Sequence, residues 1–282
     1  MVRPGPSQTL RIACPGSPRS TPGSGGTIAG LKRAAALGID AMEIEWVQSV
    51  PKNAEHVAAV GTLAKDLGIT LTVHAPYFVN LNSAEKKKIE ASEKRILDAL
   101  AMAQVCGALS VCVHAAFNGK DPPDTVTDNI RRSTERIMKK KASLFPDVNL
   151  AYETMGKPSQ WGTFDDVLGM AVEFGTYPCV DVAHMHARAN GAVNSAEEFD
   201  ELLDRYAEAL GEESLSRMHL HYSGIAYSVK GEKHHLAFEE SDARWRELLR
   251  VLKMRRVGGV LVCESPSMED DTMLLRDAYE RS

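Results

Sequence analysis

At 282 residues, 44% hydrophobic and 25% charged, the chain has the composition of a globular protein with ample length for a sizeable core. No apolar stretch reaches the ~20 residues needed to span a bilayer, and the opening MVRPGPSQTL lacks the apolar run of a secretory signal. The net charge of −5 argues weakly against a nucleic-acid partner, since a local basic face, not the total, governs phosphate binding.

Residues 1–9 read as a flexible N-terminal tail, followed by an apolar run at Leu10–Cys14 and a Pro/Gly/Ser-rich loop, PGSPRSTPGSGG. From there helical and strand-like stretches alternate. A helix over Thr27–Leu37 leads through Gly38 to the run Ala41–Glu45, and a helix over Asn53–Leu67 leads through Gly68 to Thr70–His74. The helix Ala84–Cys106 ends at Gly107 before Leu109–His114, and Asp124–Lys141 precedes Val148–Glu153. The helix Thr163–Phe174 stops at Gly175 before Pro178–Val182, and Ser195–Leu210 precedes Arg217–His221. Finally Ser241–Met254 precedes Gly259–Glu264, and Met268–Arg281 closes the chain. Many of these helices stop at a glycine, the residue that best adopts the left-handed cap.

Eight apolar runs, each followed by a helical segment, predict a parallel sheet closed into a single (β/α)8 TIM barrel over residues 10–282. No G-x-G-x-x-G or P-loop follows any run, which weighs against a nucleotide-binding open sheet. The five cysteines are scattered, with no C-x-x-C pair, and read as small buried thiols.

In such a barrel the chemistry sits where the strands end at their C-terminal side. Those ends carry His74 in TVHAPY, His114 in VCVHAAFN, Glu153 in LAYETMG, Asp181 in CVDVAHMH, His219 and His221 in MHLHYSG, and Glu264 in VLVCES. The turn after Asp181 adds His184 and His186, and the loop after the seventh strand, KGEKHHL, adds Glu232, His234 and His235. Eight of the nine histidines fall on this one rim; His56 alone is on a helix. Independent placement would scatter them, so a metal site is expected. Imidazole and carboxylate without thiolate suit zinc, manganese or iron. Nine candidate ligands, namely His74, His114, Glu153, Asp181, His184, His219, Glu232, His234 and Glu264, exceed the needs of one ion and point to a multinuclear centre. Glu45, at the end of the second run, either lines the site or orients a histidine.

These motifs resemble the endonuclease IV family of apurinic/apyrimidinic (AP) endonucleases, and most of all its shorter branch from archaea and some bacteria. The resemblance runs from about Leu10 to the C-terminus. It rests on HAPY with the following FVNL, the lone His114, the YET glutamate, D-x-x-H at Asp181/His184, HLHYSG and GEKHHL, all in the family's order. It implies a trinuclear zinc centre, with manganese or iron allowed at one position. His74 and His114 would hold the first ion, and Glu153 would bridge to a second completed by Asp181, His219 and Glu264. His184 with Glu232 and His234, favoured over His235, would hold the third. Glu153, Asp181 and Glu264 would be the catalytic carboxylates. The implied reaction is hydrolysis of the phosphodiester 5′ to an abasic site in duplex DNA, by a cytoplasmic, nucleoid-associated monomer with no membrane or protein partner. Tyr77 and Phe78 match the loop side chains that wedge into the duplex. The chain departs from the bacterial pattern in carrying Glu232 where an aspartate is usual, and EWVQSVPKN holds no counterpart of the recognition arginine.

The rival expectation is a single-metal sugar isomerase or epimerase of the xylose-isomerase-like barrels, which use a Glu–Asp–His–Glu set that Glu153, Asp181, His219 and Glu264 satisfy. A third is a metal-bound barrel that binds damaged DNA without cutting it.

Overall fold

The computed structural model describes residues 9–23 and 25–282, so the expected tail lies outside the described residues apart from Thr9. In chain order the elements are β1 (Leu10–Pro15), α1 (Thr27–Ala36), β2 (Ala41–Glu45), α2 (Ala54–Asp66), β3 (Thr70–His74), α3 (Lys86–Cys106), β4 (Ser110–Val113) and α4 (Pro123–Leu144). They continue with β5 (Asn149–Glu153), α5 (Phe164–Phe174), β6 (Tyr177–Asp181), α6 (Val182–Arg188), α7 (Ala196–Leu210), β7 (Met218–Tyr222), β8 (Gly224–Ser228), β9 (Gly231–Leu236), α8 (Trp245–Met254), β10 (Gly259–Cys263) and α9 (Glu269–Arg281). No described helix is long and apolar enough to cross a membrane.

Eight strands close a barrel in the order β1-β10-β7-β6-β5-β4-β3-β2, every pair parallel. The expected (β/α)8 TIM barrel is therefore the fold. Four of its helices, α2, α5, α6 and α7, begin where a side-chain cap satisfies one of the first free N–H groups. Asn53 accepts from His56 N–H ahead of α2, and Thr163 and Asp166 form a reciprocal capping box ahead of α5.

The period of two along each strand sorts side chains between two cores. Outward residues such as Val111, Val113, Leu150 and Tyr152 pack under the helices, as do Leu220 and Tyr222 on the other side of the barrel. Small residues form separate inner clusters, Ala13–Ala41–Val260–Val262 and Cys112–Ala151–Cys179. All five cysteines are buried and free. The same alternation turns Glu43, Glu45, Thr72, His74, Glu153, Asp181, His219 and His221 toward the barrel axis.

Three elements were not expected: the short helix α6, where a turn was read, and the two strands of a hairpin, β8 and β9. The KGEKHHL segment, read as a loop, forms β9 and pairs antiparallel with β8 in a hairpin beside the rim. Two glycines seat it. Gly231 has φ 86° and abuts the Gly156 carbonyl, while a Cβ on Gly156 would lie 2.8 Å from Glu232 Cβ and 3.0 Å from His184 Cδ2. Bare backbone at both positions lets the hairpin approach the loop after β5, where Glu232 N–H donates to Gly156 O at 3.0 Å.

Candidate metal centre

The last inward position of each of several strands carries a donor: His74 on β3, Glu153 on β5, Asp181 on β6 and His221 on β7. His114 and Glu264 follow directly on β4 and β10. Asp181 also caps α6, accepting His184 N–H on Oδ1 at 2.7 Å. That cap explains the D-x-x-H spacing, because it fixes His184 in the first helical turn beside its own carboxylate.

Glu153 sits at the middle. Its Oε2 lies 2.7 Å from His114 Nε2 and 3.5 Å from His74 Nε2, and its Oε1 lies 3.2 Å from His184 Nδ1 and 3.5 Å from His221 Nδ1. Glu153, Asp181, His221 and Glu264 each bring a donor atom within 4.8 Å of the others, and a separate set is formed by His184, Glu232 and His235. Three rings are held by backbone carbonyls: His74 Nδ1 by Ala75 O at 2.9 Å, His184 Nδ1 by Thr154 O at 3.0 Å and His235 Nδ1 by Glu264 O at 3.0 Å. With that nitrogen protonated, Nε2 presents its lone pair to the site, the usual arrangement around a metal. Thr154 further ties β5 to β6, donating from Oγ1 to Asp181 O at 3.1 Å and accepting Asp181 N–H at 2.8 Å.

The electrostatics are those of a site built for positive charge. Burial alone would raise the Glu153 pKa, but the facing His114, His184 and His221 outweigh it and hold the carboxyl well below its usual range. Glu264 follows the same pattern, burial opposed chiefly by His221, and falls to about 2. Asp181 is pushed the other way by burial, with Glu264 and Glu153 adding to it. Burial would lower His74, yet the hydrogen bond to Glu153 and the charge of Glu45 carry it up to about 10. Glu153 Oε1, Asp181 Oδ2 and His221 Nδ1 are all buried without a hydrogen-bond partner. Orphaned acceptors converging at one place are costly in a protein interior, and a divalent cation coordinated there satisfies them. The donor set, imidazole and carboxylate, fits such ions.

Two of the residues singled out in the sequence lie elsewhere. His219 and His221 both point inward, but His219 is two residues nearer the closed end of the barrel, bonded through Nδ1 to Ser110 Oγ at 3.0 Å. His221 is the ring that joins Glu153, Asp181 and Glu264. The register shows why, since Asp181 pairs with His221 while Cys179 pairs with His219. In the hairpin, His234 is exposed and His235 reaches the site. A regular strand would put Glu232 and His234 on one face; instead Tyr227 pairs with Glu232 and Ala226 with His234, which leaves Lys233 as an extra, bulged residue. The bulge shifts the alternation by one and brings Glu232 and His235 to the same side. Replacing His235 by alanine should therefore weaken one metal position by at least ~100-fold in affinity, read as lost metal on dialysis, whereas His234→Ala should leave metal content at wild type. The reverse outcome would restore His234 to the ligand set. His186, also on the rim, bonds Ala192 O and Asp242 and is a satisfied structural group.

The donors floor an open cavity of about 310 Å³ that is also lined by Tyr77, Phe117, Lys157 and Gln160. Tyr77 stands edge-on to His74, with ring centroids 5.0 Å apart, and lies 5.2 Å from His114. Phe78 and Phe117 are exposed at 61% and 51%, unusual for phenylalanine. Phe117 was not anticipated, because nothing in AAFNG distinguishes a rim aromatic from a plug. Arg188 fixes one wall by donating to Met155 O, Lys157 O and Gln160 O.

Fold and site together define an α/β-barrel protein with clustered imidazole and carboxylate donors at the C-terminal rim, candidates for holding a metal ion. Residues 31–281 match the family described as xylose isomerase-like TIM barrel, and the chain belongs to that family. A protein of Methanocaldococcus jannaschii described as uncharacterized is 33% identical over 243 residues, 86% of this chain and 88% of its own length. A probable endonuclease 4 of Shouchella clausii is 23% identical over 225 residues, 73% of this chain and 74% of its own. Among solved structures, endonuclease IV from Thermus thermophilus superposes with a TM-score of 0.69 at 21% identity, covering 96% of this chain and 100% of its own. A D-tagatose 3-epimerase-like protein superposes with a TM-score of 0.71 at 16% identity, covering 96% of each chain. The matches to endonuclease 4 support the likeness read from the motifs; at these identities the structural matches show the fold.

Proposed function

We propose that the protein is a metal-dependent endonuclease that hydrolyses the phosphodiester 5′ to abasic sites in duplex DNA, through a trinuclear centre at the barrel rim. The observation that carries this reading is the third cluster, His184–Glu232–His235. A sugar epimerase needs one ion and the Glu153–Asp181–His221–Glu264 set; it has no use for a separate donor group delivered by a purpose-built hairpin. His74, His114 and Glu153 would hold one ion, Glu153, Asp181, His221 and Glu264 a second, and His184, Glu232 and His235 the third. Zinc ions there, with manganese or iron acceptable at one position, supply Lewis acidity toward a phosphate and lower the pKa of water.

The remaining groups serve positioning. Lys157, with its Nζ 3.8 Å from Glu232 Oε1, is the cationic group in the cavity wall suited to a backbone phosphate. Tyr77 and Phe117 line the opening and Phe78, next to Tyr77 in the chain, is exposed; these rings would occupy the gap left in the stack, at least cost where no base is present. The associated reading is a cytoplasmic, nucleoid-associated monomer whose catalytic domain runs from residue 10.

His184 tests this. Its replacement by alanine should cut turnover on an abasic duplex by ~100-fold or more, since one ion's contribution is worth several kcal/mol, with little change in duplex affinity. Wild-type turnover would remove the third cluster from the reaction. The second reading, a single-metal epimerase, draws on the Glu153–Asp181–His221–Glu264 set and the epimerase-like fold neighbour. It expects catalysis on a ketose and none on DNA.

A further inference from the structure

Below the rim the barrel interior holds a second polar group where aliphatic layers are the rule. Glu43, His219 and His221 are at most 2% exposed. Glu43 Oε1 lies 3.0 Å from His221 Nε2, Glu43 Oε2 lies 3.0 Å from His219 Nε2, and the two ring nitrogens are 3.2 Å apart. Four donor atoms thus surround one point. Yet neither carboxylate oxygen accepts a hydrogen bond, although each has a ring nitrogen at hydrogen-bond distance. The two carboxylate contacts have the length of hydrogen bonds without their direction, while the two ring nitrogens are in hydrogen-bonding geometry with each other. Ser110 Oγ lies 3.0 Å from His219 Nδ1; where it accepts that ring's N–H, the Nε2 lone pair is turned toward Glu43. A carboxylate facing a lone pair in a closed interior is unfavourable unless a positive charge lies between them.

We propose that Glu43, His219 and His221 form a further buried cation site in the barrel interior, distinct from the rim centre and suited to zinc or a similar first-row divalent ion. Two imidazoles and a carboxylate make a familiar set for such ions. Glu43 and His219 belong to none of the three rim clusters. His221 alone is shared, offering Nδ1 to Glu153, Asp181 and Glu264 and Nε2 to the interior. With an ion on each nitrogen it would pass its ring proton to solvent and be held as an imidazolate. The site stands independently of the nuclease reading and would hold for an epimerase as well.

The test is anomalous diffraction from crystals of the wild-type protein loaded with zinc or cobalt, combined with metal analysis of variants. A peak enclosed by Glu43, His219 and His221, separate from those at the rim, is expected. His219→Ala and Glu43→Gln should each hold one equivalent fewer than wild type, with the rim peaks retained in His219→Ala. The enclosed ion should also outlast the rim ions during chelation. Fully loaded wild-type crystals with no peak at that point would overturn the proposal, and this measurement stands even where a variant fails to fold. Wild-type metal content in His219→Ala would overturn it too. Failure to cut abasic DNA would bear on the rim reading alone.

Discussion

Glu153→Gln should reduce cleavage of an abasic duplex by on the order of 10³-fold or more, equivalent to about 4 kcal/mol at the transition state. The glutamine keeps the size of the side chain and the thiol contact from Cys112 Sγ, which now lies 3.1 Å from Glu153 Oε2. What it removes is a charge that four histidines share, namely His74, His114, His184 and His221. Two of the three proposed ion positions depend on that carboxylate, so metal content should fall with activity. Metal analysis and single-turnover kinetics on the same preparation check this. Full activity with unchanged metal would mean that the clusters do not act as one centre.

Removing the metal should cost stability as well as activity. An ion that binds only the folded chain, held at ~1,000 times its dissociation constant, stabilises it by about 4 kcal/mol. For a chain of this size that amounts to roughly 10 °C in melting temperature. The direction follows from the site itself, because Glu153, Asp181 and His221 hold orphaned buried atoms and Glu45 is pushed by burial up to about 8. Without cations these buried groups must find protons or water at the floor of the cavity. Melting after exhaustive chelation should fall by about that amount and recover on adding zinc. A melting temperature indifferent to the chelator would show that the site is satisfied without an ion.

The barrel was legible because its signals are local and repeated: apolar runs of five or six residues recur eight times along the chain, several of them preceded by a glycine stop. The donors that end strands were legible for the same reason; once the C-terminal rim is the site, His74, Glu153 and Asp181 follow from strand ends alone. Register was harder. MHLHY offers two histidines on one face, and only the pairing of His221 with Asp181 decides which reaches the rim. Taking the last inward residue of each strand would have found it, and the same rule would have marked His219 and Glu43 as interior. The hairpin was illegible in a different way. GEKHHL has no strand alternation of its own, and a bulge at Lys233, set by pairing with β8, decides that His235 and not His234 faces inward.

The most direct measurement is incubation of the metallated protein with an end-labelled duplex carrying one synthetic abasic site, with and without a chelator, alongside the same duplex without the lesion. The account predicts a single cut immediately 5′ to the abasic site, abolished by the chelator, and an intact control. A fully metallated protein that leaves the abasic duplex uncut, or that epimerises a ketohexose instead, would contradict it.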